Sequence, residues 1–71
     1  MRSVHFLNPG ELVTVSSRTV RWRGKSRYEP LQLGTVMTFM RYCSPQEGDE
    51  YAEVLLEDGI SRTYAERLVR L

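Results

Sequence analysis

The 71-residue sequence contains one cysteine, Cys43, and one histidine, His5. A disulfide within the chain is therefore excluded, and structural zinc is not expected because such sites need four nitrogen or sulfur ligands. A nucleophilic site would need His5 beside the thiol and a third group to orient it, whereas a lone cysteine at a strand end is more often a small buried apolar residue. We expect no catalytic residues, no metal and no cofactor.

Long apolar runs are also missing. No run approaches the ~20 residues of a membrane span. Arg2 is not followed by the apolar segment of a signal peptide, so neither feature is expected. A lone cysteine favours a reducing compartment, which suggests a cytoplasmic location. The length predicts a single domain, residues 1–71, which buries only about 60% of the surface that its unfolded chain exposes.

A helical period is absent from every stretch of ten residues, so the sequence predicts an all-β protein. Runs of β-branched and aromatic residues predict strands near 11–16, 34–43, 51–57, 60–64 and 69–71. Residues 65–68 are too few for an independent α-helix and predict one 3₁₀ turn. Between the first two strands lies a long connection, residues 17–33, in which 19–23 alternates well enough to form a ribbon strand.

Two local patterns refine these strands. Apolar residues of 34–43 occupy both parities, which predicts a bent strand with a bulge or a strand covered on both faces. Asp58 and Gly59 separate two apolar–polar runs, and an Asp-Gly pair in that position predicts a two-residue hairpin with a type I′ turn. Such a turn needs positive φ at both central residues.

The order of GELVTV (10–15), LGTVMTF (33–39) and YAEVLLEDGISRTYAERLVRL (51–71) resembles the SH3-like barrels, especially their Tudor-type and KOW-type modules. The resemblance covers roughly residues 9–71. It implies a small five-stranded SH3-like barrel that acts as a non-catalytic binding module. The same barrel serves many purposes, so fold alone does not give function.

Each of the two modules suggests a different partner. KOW-type modules often contact RNA or a polymerase, although the glycine-centred KOW pattern is not met cleanly here. Tudor-type modules bind methylated side chains in an aromatic cage. The aromatic residues available as cage walls are Trp22, Tyr28, Phe39, Tyr42 and Tyr51. Their spacing matches no cage pattern, so no cage is assigned, and they remain candidates for either a cage or the core.

Charge is unevenly distributed along the chain. Residues 1–45 hold seven of the ten Arg and Lys residues against two acids, whereas residues 46–71 hold three Arg against seven acids. Five cations fall within ten residues, 18–27, with no acid among them and with aromatic residues interleaved. The candidate binding residues are Arg18, Arg21, Trp22, Arg23, Lys25, Arg27 and Tyr28. This basic segment is the most specific functional signal in the sequence.

Cations can neutralise phosphates and exposed aromatic rings can stack on unpaired bases, so the basic segment predicts contact with nucleic acid or a nucleic-acid-associated protein. An acidic protein surface is an alternative partner, and weak self-association of basic face on acidic face is another. The chain could also be a protein–protein adaptor or inhibitor of phage or bacterial type. In the structural alternative, Trp22 packs onto the barrel and the arginines pair with the acidic half, Glu47 to Glu57.

Overall fold

The computed structural model describes residues 7–24, 27–43 and 51–71. Within these residues the protein is all-β, with seven strands, one 3₁₀ turn and no α-helix. The strands are β1 (Leu12–Val15), β2 (Thr19–Arg23), β3 (Arg27–Leu31), β4 (Met37–Tyr42), β5 (Tyr51–Leu56), β6 (Gly59–Tyr64) and β7 (Leu68–Arg70). They form one antiparallel sheet in the order β3-β2-β6-β5-β4-β1-β7, with β3 and β7 at its edges.

The predicted all-β class, the five predicted strands and the 3₁₀ turn are confirmed, the turn at Ala65–Arg67. The expected number of strands is too low, because β2 and β3 form a hairpin within the long connection. The ribbon pattern of 19–23 anticipated β2, but β3 was missed. Pro30 weakens the strand signal of β3 because proline cannot donate to a ladder, and it is accommodated here because β3 is an edge strand.

One face of the sheet carries the core. Alternate side chains of β1, β4 and β5 point inward, as a period of two requires. The buried apolar side chains are Leu7, Val13, Val15, Leu31, Met37, Phe39, Ala52, Val54, Ala65 and Leu68. Thr63 is also buried, and its hydroxyl donates a hydrogen bond to the Val20 carbonyl oxygen at 2.8 Å. That bond satisfies the buried hydroxyl and joins β6 to β2.

Strand β4 has the predicted bulge. Phe39 pairs with Val54 and Arg41 pairs with Glu53, so the register shifts at Met40. A bulge bends its strand and increases the local twist. The extra residue moves the core-facing side chains from Met37 and Phe39 before the bulge to Tyr42 after it, which explains why the apolar residues of β4 occupy both parities.

The turn between β5 and β6 differs from its prediction. Leu56 pairs with Gly59, so Glu57 and Asp58 form the loop. Gly59 has a φ of 118°, while no described residue other than glycine has positive φ. A type I′ turn is therefore wrong, because it would need positive φ at Asp58 as well. The strained conformation falls on the first residue of β6, where glycine meets no steric penalty.

The side of the sheet opposite the core is called the outer face below. Strand register places Arg41, Glu53, Arg62, Trp22 and Tyr28 directly beside one another across β4, β5, β6, β2 and β3. A second row, Leu12, Thr38, Leu55 and Ile60, crosses β1, β4, β5 and β6. No described segment forms a helix long and apolar enough to cross a membrane.

Candidate functional site

The basic segment is a hairpin of β2 and β3. Trp22 pairs with Tyr28, and Arg21 pairs with Glu29. Because successive side chains of a strand point to opposite faces, residues that alternate in the sequence separate in space. Trp22 and Tyr28 share the outer face, while Arg21 and Glu29 lie on the other side. The interleaved aromatic and basic residues therefore form two surfaces.

The aromatic face consists of Trp22, Tyr28, Tyr51 and Tyr64. Trp22 is central, with ring centroids 6.3 Å from Tyr28, 5.6 Å from Tyr51 and 5.2 Å from Tyr64. Its contacts with Tyr51 and Tyr64 are edge-to-face, at 85° and 80°. Tyr51 and Tyr64 are stacked, with centroids 5.4 Å apart. Such pairs are worth about 0.5–1.5 kcal/mol beyond their area burial, so the rings hold one another in place.

Exposure within this face increases toward the edge of the sheet. Trp22, Tyr51 and Tyr64 are partly buried, whereas Tyr28 on edge strand β3 is 64% exposed. An aromatic ring exposed to this extent forgoes most of the stabilisation that burial would give it. Tyr28 is therefore the most accessible ring of the aromatic face.

Charged side chains continue the row beyond Trp22. Arg41 donates from Nε to Glu53 Oε1 at 2.9 Å and from Nη2 to Glu53 Oε2 at 3.3 Å. This bidentate pair, helped by the nearby charge of Arg62, lowers the pKa of Glu53 despite partial desolvation. Arg62 lies between Glu53 and Trp22 in the register and is exposed. It forms no ion pair within 4 Å among the described residues.

The opposite side of the hairpin carries an ion-pair cluster, defined as Arg21, Arg23, Glu29 and Asp58. Arg21 donates from Nη1 to Asp58 Oδ1 at 2.9 Å and from Nη2 to Asp58 Oδ2 at 2.8 Å. Its Nη2 also donates to Glu29 Oε2 at 3.1 Å, and Arg23 Nη1 donates to the same oxygen at 2.9 Å. The Arg21 side chain is only 12% exposed. The cluster connects the hairpin to the β5–β6 turn.

These hydrogen bonds shift the pKa values of the charged groups in the cluster. The hydrogen bond from Arg21 lowers the pKa of Asp58, and the one from Arg23 lowers the pKa of Glu29, both against desolvation. The bond to Asp58 likewise raises the pKa of Arg21. Two carboxylates therefore balance two guanidinium groups. This neutralisation reduces what Arg21 and Arg23 can offer an external phosphate.

The remaining predicted cations are placed differently. Arg18 precedes β2 and Arg27 begins β3; both are exposed, and neither forms an ion pair with another described residue. Lys25 lies outside the described residues, as do His5 and residues 47–50 of the acidic segment 47–57. The structural alternative is thus partly correct, since Arg21 and Arg23 do pair with carboxylates, but those carboxylates belong to Glu29 and Asp58.

Sequence reasoning missed Arg62 and Tyr64 as members of the site. They alternate within β6, and the pairing of β6 with β2 and β5 brings them beside Trp22 and Tyr51. The pairing of β6 with β2 joins residues about forty positions apart, such as Trp22 and Arg62. Two of the candidate cage walls belong to the core region, since Phe39 is buried and Tyr42 packs against the core. The other candidate cage walls are on the outer face.

No family model, curated protein or solved structure matches this chain. Among the described residues, no group of three or more His, Cys, Asp or Glu side chains is arranged to hold a metal ion.

Proposed function

We propose that this chain is a non-catalytic binding module with an SH3-like barrel, and that it binds nucleic acid through the β2–β3 hairpin and the adjoining outer face. One observation carries the proposal: Arg62, Trp22 and Tyr28 are direct neighbours on an outward-facing surface. Stacking rings beside unneutralised cations are the combination that binds nucleic-acid strands. The lone cysteine suits a cytoplasmic setting.

The barrel assignment has three supports. The last strand returns to pair with the first, β7 with β1. Strand β4 has a bulge between Phe39 and Arg41, and a bulge bends its strand and increases the local twist. A 3₁₀ turn precedes the closing strand. On this assignment, the hairpin β2–β3 is an extension inserted between the first and second barrel strands.

The phosphate contacts are assigned to three exposed arginines: Arg62 beside Trp22 on the outer face, Arg18 just before β2, and Arg27 opposite Arg23 at the end of the hairpin. Each phosphate neutralised by such a residue releases counterions, so affinity falls as salt rises. Arg21 and Arg23, which the basic segment also offered, remain in the ion-pair cluster and support the hairpin. Binding therefore uses fewer cations than the sequence contains.

The test is a fluorescence-anisotropy titration of labelled single- and double-stranded DNA and RNA at two salt concentrations. The double variant Arg18→Gln, Arg27→Gln should weaken binding and reduce the slope of log affinity on log salt by roughly 0.7–0.9 for each lost contact. The control is Arg70→Gln, which removes an arginine on β7, at the other edge of the sheet. Wild-type protein that binds none of these strands at low salt would refute the proposal.

A second function, a protein–protein adaptor docking on a larger enzyme or assembly, is favoured by the apolar outer row. Leu55 and Ile60 are exposed and directly paired, and exposed Leu12 lies in the same cross-strand row on the far side of Thr38. Contiguous exposed apolar side chains are typical of interaction surfaces. A partner captured from nuclease-treated lysate by wild type and lost by Leu55→Lys, but kept by Arg27→Gln, would favour this function.

A further inference from the structure

We infer that the ligand is a single-stranded nucleic acid whose bases stack on Tyr28 and Trp22, and that stacking supplies more of the affinity than phosphate contacts. The inference rests on the proposed function and names the class of ligand for the same site. It assigns base contact to two rings and a positioning role to Tyr51 and Tyr64. It follows from three properties of the hairpin: its rings, its charges and its shape.

The rings are preorganised. Trp22 is held between the Tyr28 ring on one neighbouring strand and the stacked Tyr51–Tyr64 pair on the other side. Rings with neighbours at 5.2–6.3 Å lose little further freedom when a base stacks on them. Tyr51 and Tyr64 thus act through Trp22, whereas the exposed ring of Tyr28 offers a base direct contact.

The charges are fewer than the sequence suggests. Arg21 and Arg23 are neutralised by Glu29 and Asp58, so a phosphate would have to compete with carboxylates 2.8–3.4 Å away. Among the described arginines of the hairpin, its entry and β6, this leaves Arg18, Arg27 and Arg62 for phosphate contact. Three contacts on a single strand correspond to a salt slope of only about two units. A weak phosphate contribution leaves stacking as the larger source of affinity.

The shape favours unpaired bases. The aromatic face lies on four adjacent strands, β3, β2, β6 and β5, and its ring on the edge strand, Tyr28, is 64% exposed. A duplex hides the faces of its bases inside the stack, so it could contact this surface only through its backbone. A single strand can turn its bases onto the rings, which every base allows because each has a π face. The inference therefore predicts little dependence on base sequence.

The test compares a labelled oligo(dT) with an abasic oligonucleotide of the same length, which keeps the phosphates and lacks the bases, and with a duplex. Wild type should bind oligo(dT) at least ten-fold more tightly than either competitor. Tyr28→Leu should lose about ten-fold of its affinity for oligo(dT) and little for the abasic strand, while Tyr28→Phe should bind like wild type. Tyr28 is exposed, so these variants should remain folded, as a melting curve verifies.

Each outcome has one meaning. Tighter binding of oligo(dT), lost in Tyr28→Leu and restored in Tyr28→Phe, supports base stacking at this face. Equal affinity for the abasic strand, or a preference for duplex, overturns the inference and leaves nucleic-acid binding in place. Absence of binding to all three ligands overturns the proposed function itself, and the inference with it.

Discussion

The two faces of the β2–β3 hairpin are built from alternate residues of one short segment and have opposite properties. The aromatic face has rings supported by other rings, and its most accessible member, Tyr28, is 64% exposed. The ion-pair cluster on the other side buries Arg21 and balances its charge with Asp58 and Glu29. Local sequence composition therefore overstates the number of free cations, because strand alternation decides which side chains meet carboxylates.

Trp22→Ala should have the largest effect on this comparison. It removes the ring that contacts three others, and the loss of unfolding free energy should be about 2–3 kcal/mol, somewhat less than for a fully buried tryptophan. Urea denaturation measures it. Tyr28→Ala serves as the control and should cost less than about 1 kcal/mol, because its side chain is mostly in solvent. Equal losses would mean that Trp22 is not the centre of the aromatic face.

Gly59→Val should disturb the ion-pair cluster by straining the backbone of the β5–β6 turn. A β-branched residue resists the φ of 118° at this position, at a cost of about 1–3 kcal/mol. The displaced turn would also move Asp58 away from Arg21. The melting temperature reports the loss, and Gly59→Asn, which tolerates positive φ better, is the matched control. An unchanged melting temperature for Gly59→Val would contradict the geometry of the turn.

Arg21→Ala, Arg23→Ala tests whether the ion-pair cluster is structural. If the basic segment lay outside the core, as the sequence suggests, the double variant would keep its fold and bind nucleic acid more weakly. The structure predicts instead a loss of stability with a smaller change in affinity. Because Arg21 is mostly buried and bonded to Asp58, Glu29 and Ser61, the double variant should lose about 1–2 kcal/mol of stability. Its affinity for oligo(dT) should change less than that of Tyr28→Leu. A larger loss of affinity than of stability would place the phosphate site on this face.

Acid should weaken the ion-pair cluster and leave the aromatic face unchanged. The pKa values of Asp58 and Glu29 are lowered in the folded state, so their stabilisation is complete above the ordinary value near 4 and is lost as the pH falls through the lowered values. Wild type should therefore lose more stability below pH 4 than the variant Glu29→Gln, Asp58→Asn. Denaturation curves at pH 6 and pH 3 measure this small effect. Parallel losses would show that the two carboxylates are not stabilised by folding.

Most of the strands were predictable because their signals are local. Val13 and Val15 alternate with polar residues, which is typical of a strand. Glycine at position 59 indicates a turn because it adopts positive φ without steric cost, although it does not fix the turn type. Strand β3 was not predictable from pattern, since Pro30 argues against a strand until its position at the sheet edge is known. The predicted type I′ turn is wrong because the backbone has positive φ at Gly59 but not at Asp58.

The candidate site was predictable in part. Trp22 and Tyr28 were identified because they are interleaved with cations in the sequence, and the structure brings them together. The neutralisation of Arg21 was not visible, because Asp58 is 37 residues away in the sequence. Arg62 and Tyr64 were missed for the same reason, since only the pairing of β6 with β2 and β5 joins them to the aromatic face.

Intrinsic fluorescence tests the central claim most directly, because Trp22 is the only tryptophan of the chain. Titration with unlabelled oligo(dT) should quench its emission as bases stack on the aromatic face, with the same half-saturation concentration as the anisotropy of the labelled strand. Asp58→Asn should show the same quenching. A rise in anisotropy without any change in Trp22 emission would contradict the account, since the strand would then bind away from the aromatic face.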